Sequence, residues 1–185
     1  MQSTFRRHLL TRREPRNRLL PGVTTWRLRT RHRSRSAPTA EPTLEIPAST
    51  KEFALETLKF EADSKQQEVL AAPDRRVIIC CSRQWGKSTL AAIKILHHAL
   101  LTPGSLILIA SKALRQAAEL LEKVIAFART VDLPIRRVPH HAESLLLPNG
   151  SRIIALPGHP VSLRGFSAVS LLVIDEAAYV PDRLL

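Results

Sequence analysis

The chain has 185 residues, an ordinary apolar fraction and a formal charge of +12, enough for one folded domain plus an appendage. The charge is lopsided: residues 1–40 hold eleven arginines, no lysine and a single acid, Glu14, a net +10, while the remainder carries 17 basic and 15 acidic residues. The high charge is therefore no sign of a basic nucleic-acid face on the folded part, no apolar run approaches the roughly 18 residues of a membrane helix, and the adjacent Cys80 and Cys81 make no disulfide framework.

Residues 1–48 are rich in Arg, Pro, Ser and Thr, without a steady apolar period. Such a stretch buries too little surface to offset chain entropy and is expected to be a disordered basic tail. Three readings compete: an arm on DNA phosphates, a solvated tail without a role, or an upstream extension foreign to the natural protein. Arginine without lysine follows from GC-rich codons and favours the latter two.

A folded domain is expected over 49–185. Lys51 to Leu58 suggests a short helix, and Asp63 or Ser64 caps a second one through Gln66, Val69 and Leu70. Pro73-Asp74 turns the chain into Arg76-Val77-Ile78-Ile79-Cys80, a β-branched run that reads as a buried strand. A loop precedes a helix from about Lys87 to Leu101, ended by Pro103-Gly104. Ser105 to Ala110 is a second buried strand, and Ser111 is placed to cap a helix reaching about Val131, with Leu114, Ala117, Ala118, Leu121, Val124 and Ile125 at helical spacing. Leu145-Leu146-Leu147 and Arg152-Ile153-Ile154-Ala155 flank Pro148-Asn149-Gly150 as a β-hairpin. Residues 157–169 read as a loop, and Leu171-Leu172-Val173-Ile174 as a last buried strand. The alternation implies a three-layer α/β domain with a mostly parallel sheet and its site at the carboxyl ends of the strands.

Two segments carry chemistry. Cys81-Ser82-Arg83-Gln84-Trp85-Gly86-Lys87-Ser88 fits the phosphate-loop pattern G-x-x-x-x-G-K-[ST] except that Cys81 replaces the first glycine. Between a strand and a helix, such a loop aims backbone N–H groups at phosphate oxygens. Gly86 permits close approach, Lys87 reaches the β- and γ-phosphates, and the Ser88 hydroxyl sits on Mg²⁺. A bland reading is a turn followed by a helix cap at Ser88 or Thr89. The second segment, Leu171 to Ile174, ends in Asp175-Glu176. Two acids at the tip of an apolar strand need partners: Asp175 would hold the metal through water and Glu176 would activate the attacking water. Acids at a helix N-terminus are the bland alternative. Bringing Lys87 and Ser88 near Asp175 is the central structural expectation.

Lesser candidates are Arg83, a cation facing the γ-phosphate or a plain surface residue; Gln66, an amide reading the adenine edge or a solvent-facing helix residue; and Arg164, a loop arginine for phosphate, DNA or a neighbouring subunit, or a surface residue. Trp85 is read as a wedge between loop and core. His97-His98 and His140-His141 lack companion ligands at zinc spacing.

These residues resemble the ATPase domain of the bacteriophage terminase large subunit, an ASCE-type P-loop fold. The resemblance rests on Ser82-Arg83-Gln84-Trp85-Gly86-Lys87-Ser88, Gln66-Gln67-Glu68-Val69-Leu70 (with Lys65 where an aromatic is common), Ala110-Ser111-Lys112 with Arg115-Gln116, and Leu163-Arg164-Gly165-Phe166-Ser167 before Ile174-Asp175-Glu176-Ala177-Ala178. It spans about residues 55–185. It implies ATP and Mg²⁺ as cofactors, held by Gln66, residues 82–89 through Thr89, and Asp175, with Glu176, Lys87 and Arg83 in hydrolysis. It further implies a motor on double-stranded DNA that works with a portal protein and a small terminase subunit, in a homo-oligomeric ring, in the cytoplasm of a bacterial host and not at a membrane. The family's coupling motif, the rest of its sheet and its nuclease domain have no counterpart before Leu185, so the domain is expected to be incomplete. A helicase-like nucleic-acid-dependent ATPase shares both motifs, and an inactive prophage-derived fragment is the non-enzymatic alternative.

Overall fold

A computed structural model of the chain describes residues 45–73 and 76–181. Most of the expected tail lies outside these residues. At 45–48, Ile46 already packs on the core, and the Pro47 carbonyl accepts from His97 Nε2 at 2.8 Å. Helix α1 (Thr50–Glu52) runs into a π-helical turn, Phe53–Thr57, that buries Phe53 and Ala54. Helix α2 (Ser64–Ala71) opens with a capping box: Asp63 Oδ1 accepts from Gln66 N, and Gln66 Oε1 accepts from Asp63 N.

Helix α3 (Lys87–Leu101) buries Leu90, Ile93, Leu96 and His97, one stripe at helical spacing. Strand β1 (Leu106–Ser111) is buried throughout. Helix α4 (Leu114–Thr130) repeats the stripe with Ala117, Leu120, Leu121, Val124, Ile125 and Ala128. Strands β2 (Ser144–Leu146) and β3 (Arg152–Pro157) form the expected hairpin, with Leu145 opposite Ile153. Only Gly150 in its turn takes a left-handed backbone, at φ +83°. Helix α5 (Pro160–Leu163) and strand β4 (Val169–Ile174) complete the order, followed by a 3-10 turn at Ala177–Tyr179.

The sheet order is β2-β3-β1-β4, with β1 parallel to both β3 and β4 and β2 antiparallel to β3. The α/β class with a mostly parallel sheet is thus present. One sheet face, with Ile107, Ile109, Ile153, Leu171 and Val173, packs under α3 and α4 in the main core. The opposite face, with Leu106, Leu108 and Ile154, packs with Leu156 of β3 and with Leu163 and Phe166 from the β3–β4 connection. Helix α3 runs antiparallel to β4: near its end, His98 Nε2 lies 3.3 Å from the Ser170 hydroxyl, while Lys87 at its start acts electrostatically on Asp175.

Four local expectations are corrected. The run from Arg76 to Cys80 is extended but forms no strand, and Val77 and Ile78 are 42% and 95% exposed. Its β-branched residues have the propensity, yet without a ladder partner and a covering face propensity alone makes no strand. Strand β4 is not buried; it is a sheet edge, with Leu172 41% exposed. Ser111 ends β1 rather than capping α4, whose N-cap is Ala113 without a side-chain bond. The 157–169 stretch contains α5, opened by His159 Nδ1 accepting from Val161 N and by Pro160 at the first position.

Asn149 does more than turn the hairpin. Its side-chain amide donates to Ala99 O (2.8 Å) and Leu100 O (3.3 Å), carbonyls left open at the end of α3, and its Oδ1 accepts from Ser151 N. Asn149→Ala should cost about 1–3 kcal/mol, lowering the melting temperature by several degrees; an unchanged melting curve would remove this clamp from the account.

Candidate functional site

Residues 81–86 form an open turn between the extended run and α3. Gly86, the N-cap of α3, sits at φ +99°, where an L side chain is strained, and a Cβ there would lie 3.2 Å from Gln66 Nε2. No side chain caps the helix and its first turn holds no acid. The first N–H groups of a helix have no intrahelical acceptor, so this end is suited to an anion. Lys87 folds back over the loop and donates to Ser82 O (3.0 Å) and Cys81 O (3.4 Å). Its ammonium is held by two carbonyls, weaker partners than the oxygens of a phosphate.

Gln66 braces the loop from outside. Its Nε2 donates to Trp85 O at 3.0 Å while its Oε1 serves the α2 capping box. One amide hydrogen remains for a further acceptor, so the side chain positions the loop whatever else it contacts. Trp85 packs against the main core, as a wedge would. Ser88 and Thr89 lie on the first turn of α3, half-buried. Ser82, Arg83 and Gln84 are exposed at the turn, with Gln84 at φ +62°. Arg164 is exposed at the end of α5, in the connection that leads into β4.

The acids arrive from β4. Asp175 N donates to Ala110 O at 2.9 Å, extending the β1–β4 pairing by one bond past Ile174. Asp175 Oδ1 accepts from Glu176 N at 3.1 Å, and Glu176 takes a left-handed backbone, φ +53°. Burial pushes the Asp175 carboxyl above the usual carboxylate range; the Glu176 N–H and the charges of Lys87 and Lys123 pull the other way, and the Glu176 charge adds to the rise. The charge of the phosphate-loop lysine thus reaches the strand-end acid, while its ammonium is bonded to the loop carbonyls. Of the six non-glycine residues at positive φ among the described residues, Gln84 and Glu176 belong one to each motif. Such backbone strain persists only where the surroundings impose it.

Two contributors were not named as site residues from the sequence. Lys123 of α4 acts on Asp175. Gln116, also on α4, donates from Nε2 to Glu176 Oε2 at 2.7 Å. Gln116 stood in the Ala110-Ser111-Lys112, Arg115-Gln116 stretch that carries the resemblance, without a role of its own; Lys123 had no cue beyond lying on the same helix.

The donor set suits Mg²⁺. The ion takes hard oxygen ligands and commonly binds one or two protein oxygens plus phosphates and water rather than a protein cage. Ser88 and Asp175 offer a hydroxyl and a carboxylate whose ionised form is penalised by burial, the condition a cation relieves. Among the described residues no group of three or more His, Cys, Asp or Glu forms a cage. Two open hollows, one beside Glu45, Ile46 and Asp132 and one beside Thr50, Leu70 and His97, contain no residue of either motif. No helix among the described residues is long and apolar enough to cross a membrane.

The raised Asp175 carboxyl fixes a sign. Its folded form favours the proton, so its stabilising contribution is complete below the ordinary value of 3.8 and is lost as pH rises through the higher folded value. Without metal, Asp175→Asn should therefore melt higher than the parent chain at pH 7, and the gap should close toward pH 3. A parent chain that melts higher at pH 7 would show that Lys87 and Lys123 outweigh burial.

Comparison with known proteins agrees with this fold. The profile of the family described as "Terminase large subunit, T4likevirus-type, N-terminal" matches residues 78–184, more than half of the chain. No curated protein matches. The fold is similar to the large terminase ATPase domain of Thermus phage P74-26, at TM-score 0.60 and 21% identity, covering 69% of this chain and 58% of that one. A mutant of that domain matches at TM-score 0.60 and 18% identity over the same shares. The HK97 bacteriophage large terminase gives TM-score 0.49 and 16% identity, over 70% of this chain and 36% of its own. The chain thus spans about 58% of the Thermus phage domain, and at these identities the likeness is one of fold. Matched along residues 78–184, the chain belongs to the terminase large subunit family, in its N-terminal region.

Proposed function

We propose that this chain is an Mg²⁺-dependent ATP-hydrolysing module of a motor that drives double-stranded DNA into a phage capsid. What supports the reading is the fold: α3, opened by Gly86-Lys87, runs antiparallel to β4, which ends in Asp175-Glu176, so the charge of Lys87 reaches the Asp175 carboxyl. Family membership supplies the setting.

In this proposal the free N–H groups at the start of α3 and the loop receive the ATP phosphates. Lys87 exchanges the Ser82 and Cys81 carbonyls for β- and γ-phosphate oxygens. Ser88 and Asp175 hold Mg²⁺, which when bound neutralises charge developing on the phosphates. Glu176 accepts a proton from the attacking water. Arg83, exposed on the loop, turns toward the γ-phosphate, Ser82, Gln84, Trp85 and Thr89 shape the phosphate cradle, and Gln66 steadies it beside the adenine. Double-stranded DNA, a portal protein, a small terminase subunit and further copies of the chain in a ring are the proposed partners, in the cytoplasm of a bacterial host.

The test is ATP binding and turnover by the chain with Mg²⁺. Lys87→Ala should weaken ATP binding at least about tenfold, the loss of one charge-assisted contact. Glu176→Gln should retain binding and lose about 100-fold or more of turnover, the usual worth of a general base. A folded parent chain that binds no ATP would overturn the proposal.

A further inference from the structure

Glu176 is exposed and its backbone is left-handed, so nothing in its packing fixes the carboxylate. Its side chain is nevertheless held: Gln116 Nε2 donates to Oε2 at 2.7 Å. The orientation of that amide is determined by its other end. A carboxylate only accepts, so the NH₂ must face Glu176, and Gln116 Oε1 then faces the Ser111 hydroxyl, which donates to it at 3.3 Å. Ser111 is fully buried, and its carbonyl accepts from Gly158 N. A Cβ on Gly158 would come within 2.9 Å of that carbonyl oxygen, so the position requires glycine for the strand end to stay in place. A chain of contacts thus runs from the ends of β3 and β1 through α4 to one carboxylate oxygen, leaving Oε1 of Glu176 open.

We propose that Gln116 is a positioning residue for ATP hydrolysis, holding Oε2 of Glu176 so that Oε1 points where the attacking water is deprotonated, with Ser111 setting the amide. This rests on the hydrolytic reading above. The physical need is orientation: a glutamate with free rotamers spends little time aimed at the water, and a small misplacement of a catalytic group costs up to about 100-fold in rate. Gln116 itself touches no reacting atom. It lies near the start of α4, so any force on that helix, or on the end of β1, is passed to the general base.

The experiment uses the full chain with Mg²⁺ and ATP. Gln116→Met keeps the length of the side chain and removes the amide; it should lower kcat about 10- to 100-fold while ATP affinity and melting temperature stay within about twofold and a few degrees. In a Glu176→Ala background the same change should have less than about a twofold effect, because the residue acts only through Glu176. Ser111→Ala should lower kcat by a smaller factor in the same direction. Independently of turnover, the Gln116 side-chain amide resonances should shift on Glu176→Ala in a ¹⁵N-labelled sample. Unchanged kcat in Gln116→Met, an equal loss in the Glu176→Ala background, or a loss confined to KM would each overturn the inference while leaving the ATPase reading intact. A parent chain without turnover would overturn both.

Discussion

The hydrogen bond from Asp175 N to Ala110 O, 2.9 Å long, is the constraint on which the candidate site depends. It continues the parallel pairing of β1 with β4 one residue beyond Ile174, so the acid pair leaves the sheet at a fixed height and beside the end of β1. From there the Asp175 carboxyl feels the charge of Lys87, and Glu176 reaches α4 through Gln116. The buried β1 strand earns its central place here: Leu106, Leu108, Ile107 and Ile109 are covered on both faces, so its carboxyl end cannot shift without disturbing two apolar clusters.

The loop is held by contacts of its own. Lys87 is satisfied by two carbonyls, Gln66 clamps Trp85 O, and Gly86 adopts a backbone that other residues resist. None of these contacts stabilises the fold much by itself. Together they fix a cation at the open end of a helix dipole, and its charge reaches a carboxyl that burial pushes above the usual carboxylate range. Opposed electrostatic demands of this kind are typical of functional sites, and in the proposed function a phosphate-bound cation would answer both.

Much of this was legible in the sequence because it is local. The α3 boundaries, a cap at Asp63 or Ser64, the Arg152–Ala155 part of the hairpin's second strand and the two motifs are set by residues within a few positions of each other. The failures are non-local. The Val77-Ile78-Ile79 run has the composition of a strand, but strand formation requires a neighbour, and the described ladders end at β4. The β4 run looks like a buried strand by composition, yet its place at the edge leaves Val169 and Leu172 exposed. Ser111 was equally suited to cap a helix or to end a strand; pairing with Pro157 of β3 decided the matter. Gln116, Lys123 and Asn149 act across 60, 52 and 50 residues of chain respectively, distances no motif encodes.

The most direct measurement is the Mg²⁺ dependence of ATP affinity in the parent chain, Ser88→Ala, Asp175→Ala and the double variant. If one ion joins the loop to the acid, Mg²⁺ tightens ATP binding in the parent chain, each single variant loses that gain, and the double variant loses no more than either. Mg²⁺ enhancement that survives in Asp175→Ala would show that the phosphate loop and the end of β4 do not share an ion, and would contradict the account at its centre.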